Sequence, residues 1–249
     1  MKLSIITVVY NNEHTIVEAI ASVLGQTYKN IEYIIIDGKS TDRTLSLIQE
    51  YEEDIDQILS EPDNGIYDAM NKGLALATGE VIGILNSDDV YADIRVLESV
   101  MQQFMSDPEL DIVYGDLEYV QSDDISVVIR TWKSIPYYDL YFEDGNVPPH
   151  PTLFLKRSVY QQAGLFNTKM KLAADYELML RIFKKYNFKC TYLSRLLVKM
   201  RLGGSTNKNW TNIVRGNIEV LNAWKLNGLK APVLLMPSRV LKRIAQFKR

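Results

Sequence analysis

Short apolar runs alternate with helical periodicity along the first half of the chain. The runs 3–10 and 31–37 are rich in Ile and Val, which is typical of strands buried on both faces. Between them apolar residues recur at helical spacing, which predicts a right-handed βαβ unit. A Pro-Asp-Asn-Gly turn and a helix are predicted within 60–79, and further strands at 81–86 and 111–116. This alternation predicts a mostly parallel α/β sheet flanked by helices.

The second half of the chain has a more mixed pattern. Strands are predicted at 125–132 and 152–157, and a longer extended segment at 190–202. Helices are predicted at 174–186 and 210–227 from their apolar stripes. We therefore expect a mixed region after the parallel one.

No internal repeat or low-complexity block divides the chain. We predict one domain over residues 1–224, made of a first half 1–116 and a second half 117–224, followed by a tail 225–249. The tail contains seven basic and no acidic residues, although the whole chain has a net charge of −3. An acidic body argues against nucleic acid as a partner.

The tail also has an apolar stripe formed by Val240, Leu241, Ile244 and Phe247. Such a stripe beside basic residues is typical of a helix that lies on an anionic membrane. A helix packed on the body, or a homodimer contact, explains the same pattern equally well. Without a secretory signal or a run of 18 apolar residues, we expect a cytoplasmic protein, at the inner face of the cell membrane if the tail binds lipid.

The composition narrows the choice of metal. The chain has one cysteine, Cys190, and two histidines, which excludes a disulfide framework and a typical zinc site. A bound metal must therefore be held by oxygen ligands, as Mg²⁺ and Mn²⁺ are.

Polar residues follow three of the predicted strands, where ligands bind in open α/β sheets. They are Tyr10 and Asn11, then Asp37 and Ser40, then Asn86, Asp88 and Asp89. We expect these side chains to converge, with Ser40 capping a helix and Asp37 facing a ligand. One carboxylate of the Asp88–Asp89 pair would bind a divalent cation and the other a sugar hydroxyl. Alternatively, Asp88 caps the next helix and Asp89 is solvated.

Three ordered segments of the chain match a known family. The segments SIITVVYNNEHTIVEAIASVLGQTYKNIEYIIIDGKSTDRT, EPDNGIYDAMNKGLALATGEVIGILNSDD and ADYELMLRI resemble family-2 glycosyltransferases of the GT-A fold, in particular bacterial enzymes of surface-polysaccharide assembly. The resemblance implies an inverting, metal-dependent transfer of a sugar from a nucleotide-diphosphate sugar, with a UDP-sugar favoured. The acceptor would be a hydroxyl of a glycan or of a lipid-linked oligosaccharide. Residues 1–116 would bind the donor and 117–224 the acceptor.

The resemblance also implies roles for individual residues. Val8 and Tyr10 would flank the base and Asp37 would read it, while Asp88 and Asp89 would bind the metal and the donor. Asp175 would be the general base, although it could instead be an N-cap. The sequence departs from the family at Asn86 and Ala174, where acids are usual. The remaining residues implied near the donor are Asn11, Ser40, Asn64, Gly65, Asn71, Lys72 and Asn86.

Two further residues are candidates for contact with the acceptor or the diphosphate. His150 lies in a proline-stiffened loop and Trp132 ends a predicted strand, although a loop histidine without a role and a core aromatic are equally reasonable readings. The segment 201–207 is glycine-containing and fits either a lid over the donor or a simple turn.

Two other functions compete with glycosyl transfer. A sugar-nucleotide nucleotidyltransferase has a similar sheet but needs a basic, glycine-rich phosphate loop after the first strand, and the sequence VVYNNEHT lacks one. A non-catalytic nucleotide-sugar binding module would not depend on Asp175 for turnover.

Overall fold

A computed structural model describes residues 1–203 and 210–247. In this part of the chain one mixed sheet runs in the order β3-β2-β1-β4-β8-β6-β9-β5, and β7 pairs with β6. The strands are β1 Leu3–Val9, β2 Ile31–Asp37, β3 Gln57–Ser60, β4 Val81–Ile84, β5 Asp89–Tyr91, β6 Ile112–Val120, β7 Val128–Trp132, β8 Phe154–Lys156 and β9 Cys190–Arg201. The helices are α1 Ile16–Leu24, α2 Thr44–Gln49, α3 Ile66–Leu76, α4 Val96–Ser106, α5 Arg157–Ala163, α6 Ala174–Lys185, α7 Trp210–Leu226 and α8 Leu235–Ala245, with a 3₁₀ turn at His150–Thr152.

The first half has the predicted parallel pairing. Strand β1 pairs with β2 on one side and β4 on the other, and β2 pairs with β3, all in parallel. Val9 lies opposite Asp37, so the ends of β1 and β2 are level. The carboxyl ends of these strands therefore open on the same edge of the sheet.

The second half adds antiparallel strands, as its mixed pattern indicates. Strand β8 runs antiparallel to both β4 and β6, and thereby joins the two halves in one sheet. Strand β9 is parallel to β6 and antiparallel to β5. The architecture is therefore a parallel first half followed by a mixed second half, as the sequence pattern predicts.

Buried side chains cover both faces of the sheet. In β1, Ile6 and Val8 pack with α3 and α6 residues on one face, whereas Leu3, Ile5 and Val9 pack with α1 and α4 residues on the other. Burial on both faces explains why the strand is continuously apolar. These two cores give the strand ends a rigid base.

The tail contains the predicted amphipathic helix, α8. It lies against the body through Leu235, which is fully buried, and its backbone at Ser238 and Arg239 lies close to Gly145. The predicted stripe faces outward, since Val240, Leu241, Ile244 and Phe247 are each more than half exposed. None of the helices in the described ranges has both the length and the apolar character needed to cross a bilayer.

Three elements are absent from the sequence prediction. Helix α5 is only 7 residues long, and strands β3 and β5 only 4 and 3. Elements this short show at most about two repeats of their pattern, which is a weak signal by itself. Strands β4 and β8 are as short, but they lie within the longer predicted runs 81–86 and 152–157. Strand β5 matters most, because it begins at Asp89 and pairs with β9 from the other half of the chain.

Candidate active site

The ends of β1, β2 and β4 are tied together by hydrogen bonds. The Asn11 backbone N–H donates to Oγ of Ser40 at 2.9 Å, and Nδ2 of Asn12 donates to Oγ of Ser87, also at 2.9 Å. The loops that follow the three strands therefore form one connected edge. This arrangement follows from the parallel pairing of the strands.

Asp37 is buried beneath this edge. Its carboxylate accepts hydrogen bonds from Oγ of Ser40 at 2.5 Å and from Oγ of Ser60 at 2.6 Å, and the residue has no exposed surface. The predicted helix cap at Ser40 is wrong, because α2 begins at Thr44, whose N–H donates to Asp42 at 3.0 Å. Asp37 thus holds the loop in place. Its contact with a base stays a prediction, and such a contact would require Ser40 or Ser60 to give up its hydrogen bond to the carboxylate.

The side chains of Val8 and Asn71, both implied near the donor, make their contacts within the protein. Val8 is 4% exposed and packs in the core, whereas Tyr10 is 62% exposed and available to a ligand. The Asn71 amide both donates to and accepts from the Phe166 backbone, at 2.9 and 3.0 Å. Neither side chain presents a free polar group or an open face, and the expected positions of Val8 and Asn71 beside the donor stay predictions.

Lys72 is also engaged within the protein. Its Nζ donates to the Pro62 carbonyl at 2.7 Å and pairs with Glu61 at 2.8 Å. These bonds hold the turn that precedes α3, and the expected position of Lys72 near the diphosphate stays a prediction. At the end of that turn, Asn64 and Gly65 are exposed, and Gly65 has φ of 116°, a value that favours glycine.

The loop from Asn86 to Asp89 contains two buried oxygens without a partner. Nδ2 of Asn86 donates to Oδ2 of Asp89 at 2.9 Å, which leaves Oδ1 of each residue buried and unbonded. Buried polar atoms are normally paired, so an unpaired couple at a candidate site calls for a ligand. Asp89 is fully buried and Asp88 partly buried. The expectation of a solvated Asp89 is therefore wrong.

Burial raises the pKa of Asp88, and it raises the pKa of Asp89 well above its usual range, with further help from the neighbouring Asp88 charge. A divalent cation beside these groups would offset both effects. Within the described ranges no three His, Cys, Asp or Glu side chains cluster as a metal site. The donor set is instead two carboxylates and the Asn86 amide oxygen, which fits a hard cation held by few protein ligands.

Arg201 connects this loop to the second half of the chain. The side chain is 5% exposed, donates to the Asp88 carbonyl at 2.8 Å and pairs with Glu18. Sequence reasoning missed this arginine. Its only signal is a position at the end of an extended segment that also contains Arg195 and Lys199.

Asp175 lies on the second residue of α6 and joins the two halves. Its Oδ1 accepts a hydrogen bond from the Tyr67 hydroxyl at 2.9 Å, and Tyr67 belongs to α3 of the first half. The N-cap position is Ala173, with no side-chain cap bond, so the alternative of an Asp175 cap is not supported. Asp175 also lines a cleft of about 770 Å³ in the second half.

A glutamate that the sequence analysis did not single out holds the segment before Asp175. The Glu219 carboxylate, from α7, accepts backbone N–H groups of Lys171, Leu172 and Ala173 at 2.8–3.1 Å. Arg215 pairs with it at 3.2 Å. Three backbone N–H groups bound by one buried carboxylate position the start of α6, and with it Asp175.

His150 and Trp132 line the same cleft as Asp175. Burial lowers the pKa of His150, an effect that the Asp175 charge partly opposes, so the neutral imidazole is favoured. Trp132 stacks on Tyr119 with an interplanar angle of 9°. Their contact with the acceptor or the diphosphate stays a prediction. The hypothesis of a lid falls mainly on residues 204–207, which lie outside the described residues.

Sequence comparison decides the family. The chain matches the family described as "Glycosyl transferase family 2" over residues 4–161, which is more than half of its length. The chain belongs to glycosyl transferase family 2. The match includes the strand ends, the Asn86–Asp89 loop and His150, and it ends before Asp175.

Curated relatives of this family-2 glycosyltransferase are bacterial. An uncharacterized glycosyltransferase of Mycobacterium tuberculosis is 30% identical over 181 residues, covering 72% of this chain and 68% of the relative. A PGL/p-HBAD biosynthesis glycosyltransferase of Mycobacterium bovis is 28% identical over 169 residues, covering 65% of this chain and 62% of the relative.

Solved structures share the fold. S. aureus TarS in complex with UDP has a TM-score of 0.65 at 18% identity, covering 89% of this chain and 66% of that one. The mannosyltransferase PcManGT from Pyrobaculum calidifontis, in complex with GDP-Man and Mn2+, has a TM-score of 0.63 at 18% identity, covering 98% and 74%. At these identities the likeness establishes the GT-A fold alone.

Proposed function

We propose that this family-2 glycosyltransferase moves a sugar, with inversion, from a nucleotide-diphosphate sugar to a hydroxyl of a glycan or lipid-linked acceptor. A UDP-sugar is the favoured donor, and the pathway is the assembly of a cell-surface polysaccharide or glycolipid. The position of Asp175 carries the proposal, because its carboxylate is bonded to the donor half through Tyr67 and faces the cleft of the acceptor half.

In this reaction the acceptor oxygen attacks the anomeric carbon from the face opposite the diphosphate. The bond from that carbon to the diphosphate oxygen breaks, and the nucleotide diphosphate leaves with the electron pair. Asp175 accepts the proton of the attacking hydroxyl as the new bond forms. The Tyr67 hydroxyl donates to Oδ1 of Asp175, which orients the carboxylate and leaves Oδ2 to the acceptor.

The donor is proposed to lie along the edge formed by the strand ends. Tyr10, Asn11, Asn64 and Gly65 are exposed there and would contact the nucleotide. Asp37, Asn71 and Lys72 would act by holding the loops. Asp88, Asp89 and Asn86 would hold Mg²⁺ or Mn²⁺, and a bound cation stabilises the negative charge that develops on a departing diphosphate.

The comparisons support this donor class. TarS is described in complex with UDP and with UDP-GlcNAc, and PcManGT in complex with GDP-Man and Mn2+. The Mycobacterium bovis relative is described as an enzyme of PGL/p-HBAD biosynthesis, which supports an acceptor in a glycolipid pathway. Neither rival reading, a nucleotidyltransferase or a binding module, has a comparable observation in its favour.

We also propose a location at the cytoplasmic face of the membrane. The exposed stripe of α8, with Lys242 and Arg243 beside it, suits a helix at an anionic lipid surface. A homodimer that covers the same stripe is the competing arrangement, and a flotation assay with anionic vesicles separates the two.

The experiment that tests the proposed reaction is nucleotide release from a panel of UDP-, GDP- and dTDP-sugars. We expect slow hydrolysis of one donor without any acceptor, loss of this activity with a chelator, and recovery with excess Mn²⁺. Donor hydrolysis at an unchanged rate in the presence of the chelator would exclude a role for the metal. No release from any donor, by a folded protein that binds UDP, would favour the binding module.

A further inference from the structure

The cleft that contains Asp175 has an unusual charge. Asp175 is its one carboxylate among the described lining residues, whereas six basic side chains line it: Arg130, Lys133, Arg201, Arg239, Lys242 and Arg243. The chain as a whole has a net charge of −3, so the surplus is local. A concave surface with one sign of charge attracts ligands of the opposite sign.

Two of these arginines are placed without a carboxylate partner. Arg130 is 6% exposed, and its guanidinium lies over the Tyr119 ring at 3.8 Å. Arg239 lies over the Tyr176 ring at 4.7 Å, and its Nη1 is buried without a hydrogen-bond partner. Neither residue forms a salt bridge within the part of the chain that the structure describes.

Two carboxylates lie near these groups, and both have other contacts. Glu143 acts on Tyr176 electrostatically, but its Oε1 pairs with Lys184 at 2.8 Å. Asp89 acts on Tyr119, the ring beneath Arg130, and accepts a hydrogen bond from Asn86. Burial, together with the nearby Arg243 charge, lowers the pKa of Arg130. A buried guanidinium at Arg130 without a salt bridge, and a buried unbonded Nη1 on the partly exposed Arg239, are both costly, which implies that a ligand supplies the anion.

The position of these arginines points to the acceptor rather than the donor. Arg130 is on β7 in the second half of the chain and Arg239 is on α8 in the tail, so neither belongs to the first half. The exposed donor-side residues Tyr10, Asn11 and Asn64 do not line this cleft. Guanidinium groups bind phosphate oxygens in a bidentate manner, with geometry that an ammonium group does not match.

We propose that the cleft binds a phosphate or diphosphate group of the acceptor through Arg130 and Arg239, while the acceptor hydroxyl reaches Asp175. This inference rests on the proposed glycosyl transfer and specifies the acceptor as an anion. The group can belong to an amphiphile that carries a diphosphate or to a phosphodiester polymer. Val240, which lines the cleft and is 57% exposed, extends an apolar surface from it.

The test is a binding titration of the full chain with three probes. These are decyl diphosphate, a six-unit glycerol phosphate oligomer and non-ionic decyl maltoside. The two decyl compounds are kept below their micelle concentrations. We expect at least one anion to bind ten-fold or more tightly than decyl maltoside. The tighter of the two anions identifies the amphiphile or the polymer as the source.

The variants assign this binding to the cleft. Arg130→Gln and Arg239→Gln should each weaken anion binding about ten-fold, whereas Arg130→Lys and Arg239→Lys should weaken it less. Lys230→Gln is the matched control, because Lys230 is an exposed basic residue of the tail outside the cleft. If a Gln variant fails to fold, Lys242→Gln at an exposed lining position should still cause a loss of two- to five-fold.

Two results would overturn the anion site. One is anion binding no tighter than that of decyl maltoside, and the other is an equal loss in Lys230→Gln and the cleft variants. Nucleotide release from a sugar donor is measured in parallel. Donor turnover without anion binding would reject this site alone, whereas anion binding without donor turnover would reject the proposed reaction and leave the site.

Discussion

Two regions of the molecule, the strand ends of the first half and the cleft around Asp175, differ in how their buried polar groups are paired. At the strand ends Asp37 is paired within the protein, with Ser40 and Ser60. Beside the cleft, Arg130 of the second half and Arg239 of the tail have no carboxylate partner among the described residues. We interpret this difference as a proposed donor side that is organised before binding and a proposed acceptor side that gains its counterions from a ligand.

The Asn86–Asp89 loop is the exception within the donor half. Oδ1 of Asn86 and Oδ1 of Asp89 are buried without a partner, as is the hydroxyl of Tyr91 two residues further on. The exception is informative because it lies next to Arg201, which reaches from the acceptor half to the Asp88 carbonyl. We therefore interpret the unpaired oxygens as a preformed cation site at the joint between the halves.

The largest expected effect is at Asp175, where the halves meet. Asp175→Asn keeps an acceptor for the Tyr67 hydroxyl but removes the base, so nucleotide release should fall by roughly 10²- to 10⁴-fold. UDP affinity, measured by calorimetry, should change little. Asp123→Asn, at an exposed loop position, is the matched control. Wild-type turnover in Asp175→Asn would remove Asp175 from the chemistry.

The next effect is at the cation site. Asp89→Asn keeps the shape of the loop but weakens the ligand set, so Mn²⁺-dependent UDP affinity should fall by at least about 10-fold. Mn²⁺ together with UDP should raise the melting temperature of the wild-type protein and not that of the variant. Asp54→Asn, at an exposed position, controls for the loss of charge. A variant with an unchanged Mn²⁺ response would place the metal elsewhere.

A third test sharpens the claim that the donor half is preorganised. Burial raises the pKa of Glu32, but hydrogen bonds from Lys2, Ser4 and Thr78 outweigh this effect and lower it to about 2. Because the pKa of Glu32 in the folded protein lies below its ordinary value of 4.5, the ionised carboxylate stabilises the fold fully above pH 4.5, and this stabilisation is lost as the pH falls toward 2. The stabilisation corresponds to about 3 kcal/mol of unfolding free energy at neutral pH.

Glu32→Gln isolates this contribution. The free energy of unfolding, measured by urea titration from pH 7 to pH 3, should fall less with acid in the variant than in the wild-type protein. Glu118→Gln, which removes a partly buried carboxylate on β6, serves for comparison. Parallel curves for wild type and Glu32→Gln would mean that the network does not stabilise the donor half.

The smallest effect is expected at Lys72. Because its Nζ pairs with Glu61, which is about half exposed, Lys72→Gln should cost less than about 1 kcal/mol of stability. UDP affinity should change less than two-fold if Lys72 only holds the turn. A ten-fold loss of UDP affinity would instead restore the role near the diphosphate that the family resemblance implies.

The sequence predicted the long elements well. Strands β1 and β2 and helix α6 agree with the predicted ranges to within one residue at each end, and α1 lies between the strands as predicted, because each has a sustained pattern of one period. Elements α5, β3 and β5 were missed because each is too short to show a sustained pattern. The GT-A fold followed from the order of the long elements and from the family resemblance.

The candidate site was harder to predict, because its bonds join distant parts of the chain. The segments with Asp88, Asp89 and Asp175 are recognisable from local motifs. The bond from Tyr67 to Asp175 spans 108 residues and the bond from Arg201 to Asp88 spans 113, so no local pattern contains them. The same is true of Glu219, which acts on the segment before Asp175 from 46 residues away.

The central claim is that a single base, Asp175, activates the acceptor for direct displacement of the nucleotide diphosphate. The most direct measurement is the anomeric configuration of the methyl glycoside formed when methanol serves as acceptor, because a glycoside does not mutarotate. From an α-linked donor, proton NMR should show only the β-glycoside in the wild-type reaction. An α-glycoside as the first product would contradict the account, since retention cannot arise from one displacement.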